Sequence, residues 1–442
     1  MSSTIINQSE IRWIGPRGLD PIGRVFEWNG AFFRTVRIGK GAHVRRLFDE
    51  GIVQKLVDRG WLIPTEISKY SMEGTEMILS HRFIPFETFP QDWSRSMLLD
   101  AAEIWLRINL ELLPHNLGLV DGHGGNFAQL DNAQFIWMDF GSIGPISKSV
   151  MGMEEFRRWL ANPVSVIAAR PQIARMVRSA FRDEGVSDAE AEAILGKPKW
   201  SPGRFIAGRA IANETSVSGR RKLLLESELA RLPKGLKPPG TFWQDYQENN
   251  PTPPDETKLN ARRTAVRDVL RDLKPKTVAD LAANEGFFSF MAARHGAKVF
   301  ALDFDEGAVE SLYRHAKQSA RSMSVTAAWA NVLVPRRREP RADLAMALAL
   351  THHLALGQKY RWEYPVKCLA SYTSDALLTE FMPNGLAGRD KPKDPLPEWY
   401  TLEAFMAALE VQFREVKILD YPVSPKAIPR TMILCRGCRV PA

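Results

Sequence analysis

Cysteine is scarce: Cys368, Cys435 and Cys438 are the only three in 442 residues. That is too few for a disulfide scaffold, so a reducing compartment is the expectation. Cys368 reads as a core residue. Cys435 and Cys438 form a lone C-x-x-C with no second pair or histidine motif for zinc, and they read as the end of an edge strand. No apolar run reaches the roughly 18 residues of a membrane span. The opening MSSTIINQSEIRWIGP lacks the basic-then-apolar order of a secretory signal. These absences together predict a cytoplasmic protein with no membrane span. Internal repeats and low-complexity tracts are also missing. Apolar residues make up 45% and charged residues 25%, which excludes a disordered, collagenous or fibrous chain. The length corresponds to two or three domains at about 150 residues each.

Positive charge is present in excess. The formal net charge is +8 and the pI about 9.3, which favours a polyanionic partner. The densest basic runs, Arg336-Arg337-Arg338 and the stretch from Arg262 to Lys276, have no RNA-binding motif beside them. They read as solvated surface, so nucleic acid is a possible but not a favoured partner.

Prolines and glycines crowd LPKGLKPPGTFWQDYQENNPTPPDE, residues 232–256, and neither suits a helix interior or a central strand. The domain junction is placed there. This gives a first domain with a helical extension over 1–200, a linker with connecting helices over 201–257, and a second domain over 258–442. The second domain opens with a helix that Thr252 or Asp255 would cap, with prolines in its first turn. Leu259, Val266, Leu270 and Leu273 recur along it at helical spacing. The runs TVADLAAN, KVFALDFD, SVTAAWAN, DLAMALAL and DALLTEF then read as buried strands separated by helices. EVKILDYPVSPKAIPRTMILCRG closes the chain as an antiparallel edge hairpin. The expected fold is α/β: a doubly wound, mostly parallel, Rossmann-like sheet with that hairpin at one edge.

Asp280-Leu281-Ala282-Ala283-Asn284-Glu285-Gly286 follows the first of these strands. Small residues let the backbone approach a ligand, and the next helix points its N-terminal N–H groups at the same place. Asp303 ends the second strand, where a carboxylate can accept from both ribose hydroxyls. An adenosine-containing cofactor is therefore predicted. Only Gly286 of a G-x-G-x-x-G survives, and the loop carries Glu285, so a pyrophosphate is poorly served. An acidic loop suits a cofactor with an amino-acid end. This stretch resembles the class I S-adenosylmethionine-dependent methyltransferases, with Ala282 and Asn284 where two glycines are usual. The resemblance implies S-adenosylmethionine as cofactor, held by Asp280, Ala282, Ala283, Asn284, Gly286, Asp303, Phe304 and Asn331. The fourth strand ends in Ala349-Leu350-Thr351-His352-His353, so His352 or His353 is a candidate general base near neutral pH, and Glu380 is a third catalytic candidate. The alternative for each histidine is a helix cap or a packed ring. The Asn-Pro-Pro-aromatic motif of nucleic-acid amino-methylation is missing at this point, which favours an oxygen acceptor.

The N-terminal half is less regular. GRVFEWNGAFFRTVRIG reads as a hairpin turning at Asn29-Gly30, VRRLFDEGIVQKLVDRG as one amphipathic helix, MILSHRFIPF as a strand, and SMLLDAAEIWLRINLELLPHN as an apolar helix. A short hairpin carries VDGHGGNF and FIWMDFGS. Asp121, Asn126 and Asp139-Phe140-Gly141 keep the order and spacing of protein-kinase-like phosphotransferases. This part resembles the small-molecule and lipopolysaccharide kinase branch of that α+β fold. The resemblance implies Asp121 as the residue accepting the hydroxyl proton, Asn126 and Asp139 as Mg²⁺ ligands if the site is active, and ATP as second cofactor. A glycine-rich loop is missing. Arg34 or Arg37 stands in for the phosphate-binding lysine, with Glu50 as the expected ion-pair partner; arginine is not equivalent to lysine there. An active kinase and a degenerate scaffold both fit.

The whole chain resembles a group of bacterial two-part proteins, some labelled nodulation host-specificity proteins. That resemblance implies a methyltransferase whose N-terminal domain binds or phosphorylates a small-molecule or glycan-type acceptor. A kinase with a regulatory methyltransferase-like domain and an RNA methyltransferase are the alternatives. The oligomeric state is not indicated.

Overall fold

The structure, a computed structural model, describes residues 4–15, 20–130, 133–148, 150–181, 184–196, 202–237, 240–241, 243, 255–319, 323–334, 340–393, 395–422 and 427–440. Arg336 to Arg338, Thr252 and most of the proline-rich junction lie outside the described residues. Two compact units divide the chain: residues 1–84, 88–129 and 134–237, and residues 85–87, 130–133 and 238–442. No helix among the described residues is long and apolar enough to cross a membrane.

In the first unit, β1 (Arg12–Ile14), β2 (Gly23–Trp28), β3 (Ala31–Arg37), β4 (Thr65–Ile67) and β5 (Thr75–His81) form an antiparallel sheet in the order β1-β2-β3-β5-β4. The β2–β3 turn is the one expected: Asn29 (φ 48°) and Gly30 (φ 72°) are both left-handed, as a two-residue turn matching strand twist requires. The single amphipathic helix expected next is two, α1 (Gly41–Asp49) and α2 (Ile52–Asp58). Gly51 separates them at φ 69°, a conformation glycine reaches at little cost and other residues resist. The apolar helix α3 (Arg95–Leu112) buries Met97, Ala101, Trp105 and Ile108 at helical spacing. Two small antiparallel pairs follow, β6 (Leu117–Leu119) with β9 (Ile143–Pro145) and β7 (Phe127–Gln129) with β8 (Phe135–Trp137). Helices α4 (Val150–Phe156), α5 (Asn162–Ala169), α6 (Ala174–Ala180), α7 (Asp188–Leu195), α8 (Pro202–Asn213) and α9 (Val217–Arg231) complete the unit.

The second unit begins with α10 (Ala261–Leu273). Asn260, not Thr252 or Asp255, caps it by accepting the Arg263 N–H at 3.0 Å; Asp255 caps only a single turn, Glu256–Lys258. Strands and helices then alternate: β10 (Thr277–Leu281), α11 (Phe287–Arg294), β11 (Lys298–Asp303), α12 (Glu306–Gln318), β12 (Val325–Trp329), β13 (Ala342–Ala347), α13 (Glu363–Ser371), β14 (Thr373–Phe381), α14 (Leu402–Gln412), β15 (Phe413–Ile418) and β16 (Thr431–Cys438). The sheet order is β12-β11-β10-β13-β14-β16-β15, parallel through β14 and antiparallel beyond it. The parallel strands are buried almost end to end, which is why they read as continuous apolar runs rather than alternating ones. The terminal hairpin forms as expected, but β16 is inserted between β14 and β15, so Cys438 ends an interior strand and β15 is the edge. Cys368 is only half-buried.

Chain order reverses between β10 and β13. The chain leaves β10 outward to β12 and returns on the other side as β13. At such a switch point the two flanking connections part, leaving a crevice at the carboxyl ends of the strands.

Candidate functional site

A cavity of about 490 Å³ opens at that crevice, lined by residues that include Asp280, Asn284, Asp303, Asn331, His352 and Arg430. One side comes from the ends of β10, β11 and β12. The β10 turn is held down by the Ala282 and Ala283 N–H groups, which both donate to the Leu302 carbonyl at 2.8 and 2.9 Å. Ala282 (φ 77°), Asn284 (φ 50°) and Gly286 (φ 93°) are all left-handed. Ala282 holds backbone strain of about 1–2 kcal/mol there, whereas asparagine, like glycine, adopts this conformation more readily. At Gly286 space is limiting as well: a Cβ there would meet the Leu312 side chain at 2.3 Å and the Phe290 ring at 2.9 Å.

Asp280 lies near the end of β10 and Asp303 ends β11, and the two face different partners. The Ser289 hydroxyl donates to Asp280 Oδ2 at 2.7 Å, which ties the strand to the first turn of α11. Asp303 Oδ2 accepts the Asn284 N–H at 2.8 Å, and Oδ1 accepts the Asp305 N–H, also at 2.8 Å. A carboxylate has about four acceptor positions, so the backbone N–H groups of Asn284, Asp305 and Phe304 leave room for a further donor. Burial pushes the Asp303 carboxyl up to about 6 and Asp280 up to about 7, Asp303's charge adding to the latter. Phe304, beside Asp303, lines the cavity and is 51% exposed. Asn331 lines the same side, its Oδ1 accepting the Leu333 N–H at 3.0 Å. The structure thus brings together Asp280, Ala282, Ala283, Asn284, Asp303, Phe304 and Asn331 around one cavity, with Gly286 behind it shaping the turn.

Two opposite pH dependences follow. An acid with a raised native pKa binds more protons folded than unfolded, so the stability contributed by Asp280 and Asp303 falls as pH rises from about 4 to 7. A carboxylate that accepts ligand hydroxyls must be ionised. Affinity for a ligand whose hydroxyls rest on Asp303 is therefore expected to weaken about tenfold per pH unit below about 6 and to level off above 7. Calorimetry from pH 5 to 8 checks this, and a flat profile in wild-type protein contradicts it.

The other side of the cavity comes from β13, β14 and the approach to β16. His352 and His353 lie in the turn after β13 with ring centroids 4.1 Å apart, and both line the cavity. Burial, with His353 and Arg430 nearby, pushes His352 down to about 3, and burial lowers His353. His352 Nδ1 is buried without a hydrogen-bond partner. Glu380 is fully buried behind this wall. Arg262 grips it bidentately at 2.7 and 2.8 Å, Arg430 donates to it at 3.0 Å, and so does the Ala349 N–H at 2.8 Å. Burial alone would raise this carboxyl, but the two guanidiniums overcome it and hold the group below its ordinary range. Arg262 belongs to the run read as solvated surface. That reading is corrected: it lies four residues before Val266, on the inward face of α10, with its guanidinium 5.1 Å from the Phe288 ring centroid. Sequence reasoning also missed Trp243, which lines the cavity edge-on to His353 at 5.4 Å and accepts the Asn284 side-chain N–H on its carbonyl at 2.9 Å.

In the first unit the second constellation partly assembles. Arg34 on β3 is 5% exposed and reaches Asp139 Oδ1 at 3.3 Å. Its other ion-pair partner is Asp20, between β1 and β2, not Glu50. Glu50 ends α1 and pairs with Arg46 and His115 at 2.7 and 2.9 Å. The expected Arg34–Glu50 pair is therefore corrected to Arg34–Asp20. Arg37 instead donates to the Asp20 carbonyl at 2.8 Å. Burial raises the Asp139 carboxyl against the pull of Arg34, with Asp20 and Asp121 close enough to add to the rise. Asp121 accepts the His123 N–H at 2.7 Å. Beside it Glu155, whose Oε2 accepts the Gly122 N–H at 2.7 Å, is pushed up to about 7, chiefly by burial. Asn126 Nδ2 is buried without a hydrogen-bond partner. Among the described residues no group of three or more His, Cys, Asp or Glu side chains is placed to hold a metal ion.

No family model matches the chain. Its sequence is similar to Nodulation protein NoeA of Rhizobium meliloti (strain 1021), 26% identical over 462 aligned positions that cover 92% of this chain and 94% of that one. Among solved structures, the complex of WbdD with the kinase inhibitor LY294002 aligns at 24% identity over 39% of each chain, with a TM-score of 0.30. The chain therefore spans well under half of WbdD's length. Magnesium protoporphyrin IX methyltransferase (ChlM) from Synechocystis PCC 6803, with bound SAH, aligns at 15% identity over 53% of this chain and 94% of that one, with a TM-score of 0.32.

Proposed function

We propose that the second unit is an S-adenosylmethionine-dependent methyltransferase that methylates oxygen on a small-molecule or glycan-type acceptor. The observation that carries this reading is Asp303. Its carboxylate is fixed by two backbone N–H groups at the end of β11, beside the strained β10 turn and at the switch point of the sheet. Asp303 would accept from the two ribose hydroxyls, Phe304 would cover one face of the adenine, and Asn331 would meet its edge. The Asp280–Gly286 turn, through Asn284 and its backbone, would hold the amino-acid end. The bound cofactor supplies a methyl group on a sulfonium, poised for displacement. Trp243 and the apolar wall of Leu350, Leu354 and Met382 would exclude water from that displacement. Calorimetry with S-adenosylhomocysteine and the intact protein tests the reading. Micromolar binding is expected, and absence of binding at pH 8 overturns it.

A second activity is favoured by the first unit's geometry. Arg34 against Asp139, with Asp121 nearby and Asn126 offering a buried amide, supports an ATP-dependent phosphotransferase site acting on the acceptor. Asn126 and Asp139 would hold Mg²⁺ together with phosphate oxygens, and Asp139 would have to share its carboxylate between the metal and Arg34. ATP–Mg²⁺ binding that disappears in Asp139→Ala is the expected result. No ATP binding by the wild-type protein ends this reading and leaves the unit a scaffold.

A further inference from the structure

We propose that Asp20 is a built-in competitor for the polyphosphate of a nucleotide: its carboxylate occupies the anion seat on Arg34, and ATP takes that seat only by displacing it. The inference rests on the phosphotransferase reading of the first unit and adds a control on the same site.

Asp20 lies between β1 and β2, and its carboxylate is tied at both oxygens. Oδ1 accepts the Ile22 N–H at 2.9 Å and the Gly23 N–H at 3.1 Å, which folds the turn, and Oδ2 takes Nη1 of the buried Arg34. Arg37 Nη2 donates to the Asp20 carbonyl at 2.8 Å, so the backbone is held from β3 as well. Gly141, the last residue of D-F-G, leaves the room that the pair fills. A Cβ there would meet Arg34 Nη1 and Asp20 Oδ1, each at 2.5 Å. Arg34 Nη2 reaches Asp139 at 3.3 Å, and its Nε is buried without a hydrogen-bond partner.

A guanidinium presents the same N–H edge to a carboxylate and to a phosphate, so the two compete for Arg34 directly. Three carboxyl groups gather on its side: Asp20, Asp139 and, within reach of Asp139, Asp121. His81 adds no charge, because burial, with Arg34 nearby, pushes it down to about 3. The exposed Arg37 serves the carbonyls of Asp20 and Gly23. A polyphosphate added to this set meets repulsion until one carboxylate leaves. In the phosphotransferase reading Asp139 is a Mg²⁺ ligand and Asp121 takes a proton, so both act with the nucleotide in place. Asp20 has no such task, and it stands on a turn outside any strand. Its departure frees Nη1, and a polyphosphate has oxygens enough for Nη1 and the unpartnered Nε together. A seat free in about one molecule in ten weakens the apparent affinity about tenfold. Adenosine has no phosphate to seat and is indifferent to Asp20.

The test is calorimetry of ATP–Mg²⁺ and of adenosine with full-length wild type, Asp20→Asn and Asp20→Glu. Asp20→Asn keeps an oxygen for the Ile22 and Gly23 N–H groups and removes the charge. It is expected to bind ATP–Mg²⁺ about tenfold or more tightly than wild type, with adenosine within about twofold. Asp20→Glu keeps the charge and is expected to show no gain for ATP. Should Asp20→Asn lose its unfolding transition, Asp20→Ser, which also keeps an oxygen near those N–H groups, takes its place. ATP affinity that is unchanged or weaker in the neutral variant, or a gain that adenosine shares, overturns the inference while the phosphotransferase reading stands. If neither ATP nor adenosine binds any of these proteins, the phosphotransferase reading falls and the inference falls with it.

Discussion

Asp303→Ala is expected to cost at least 100-fold in affinity for S-adenosylhomocysteine at pH 8. A charged acceptor contributes roughly 1.5–3 kcal/mol per hydrogen bond, and two ribose hydroxyls are at stake, so about 3–6 kcal/mol is in play. A hundredfold corresponds to about 2.7 kcal/mol, just below that range, so it is a lower bound. The loss is compounded because the Asn284 and Asp305 N–H groups lose their acceptor and the two turns they fix become independent. Asp303→Asn, which keeps one oxygen, should fall between wild type and alanine. Calorimetry of the three proteins decides it. An alanine variant within threefold of wild type would mean that the ribose is held elsewhere, and the assignment of this cavity would go with it.

Glu380→Ala is expected to show the largest loss of stability. Removing one partner of a buried ion pair typically costs about 3–5 kcal/mol, because the remaining charge stays buried and uncompensated. Here two guanidiniums and the Ala349 N–H lose their shared acceptor at once. Chemical denaturation of the second unit's transition measures the cost. Adding Arg430→Met should restore part of the loss, since it removes one of the stranded charges. A change below about 1 kcal/mol would show that the cluster is hydrated rather than sealed. Glu380→Gln separates roles: if methyl transfer persists in a variant that folds, Glu380 positions the arginines and does not take the proton.

Much of the second unit was legible because a parallel sheet covered on both faces writes itself as apolar runs. TVADLAAN, KVFALDFD and SVTAAWAN each contain a strand, although the strands stop two or three residues short, where the chain turns toward the cavity. One wall of the cavity was legible for the same reason: Asp280, Asn284 and Asp303 stand at strand ends, and strand ends can be counted. The opposite wall was not. Arg430 follows a stretch with no periodicity, and Glu380 looked available because nothing local reveals a partner 118 residues away at Arg262. Arg262 itself could have been found, since its position on the Val266–Leu270 face was visible beneath the basic run. In the first unit Gly51 should have split the long helix, and Asp20, beside a proline and far from any periodic segment, gave no sign that it would reach Arg34.

The way the sheet reverses also divides the labour of the chain. Everything that would cradle the methyl donor stands on β10, β11 and β12, whereas Arg430 arrives on the terminal hairpin, after the donor side is complete. Substitutions within that late hairpin are therefore expected to alter one wall of the cavity while the wall carried by β10, β11 and β12 keeps its hydrogen bonds.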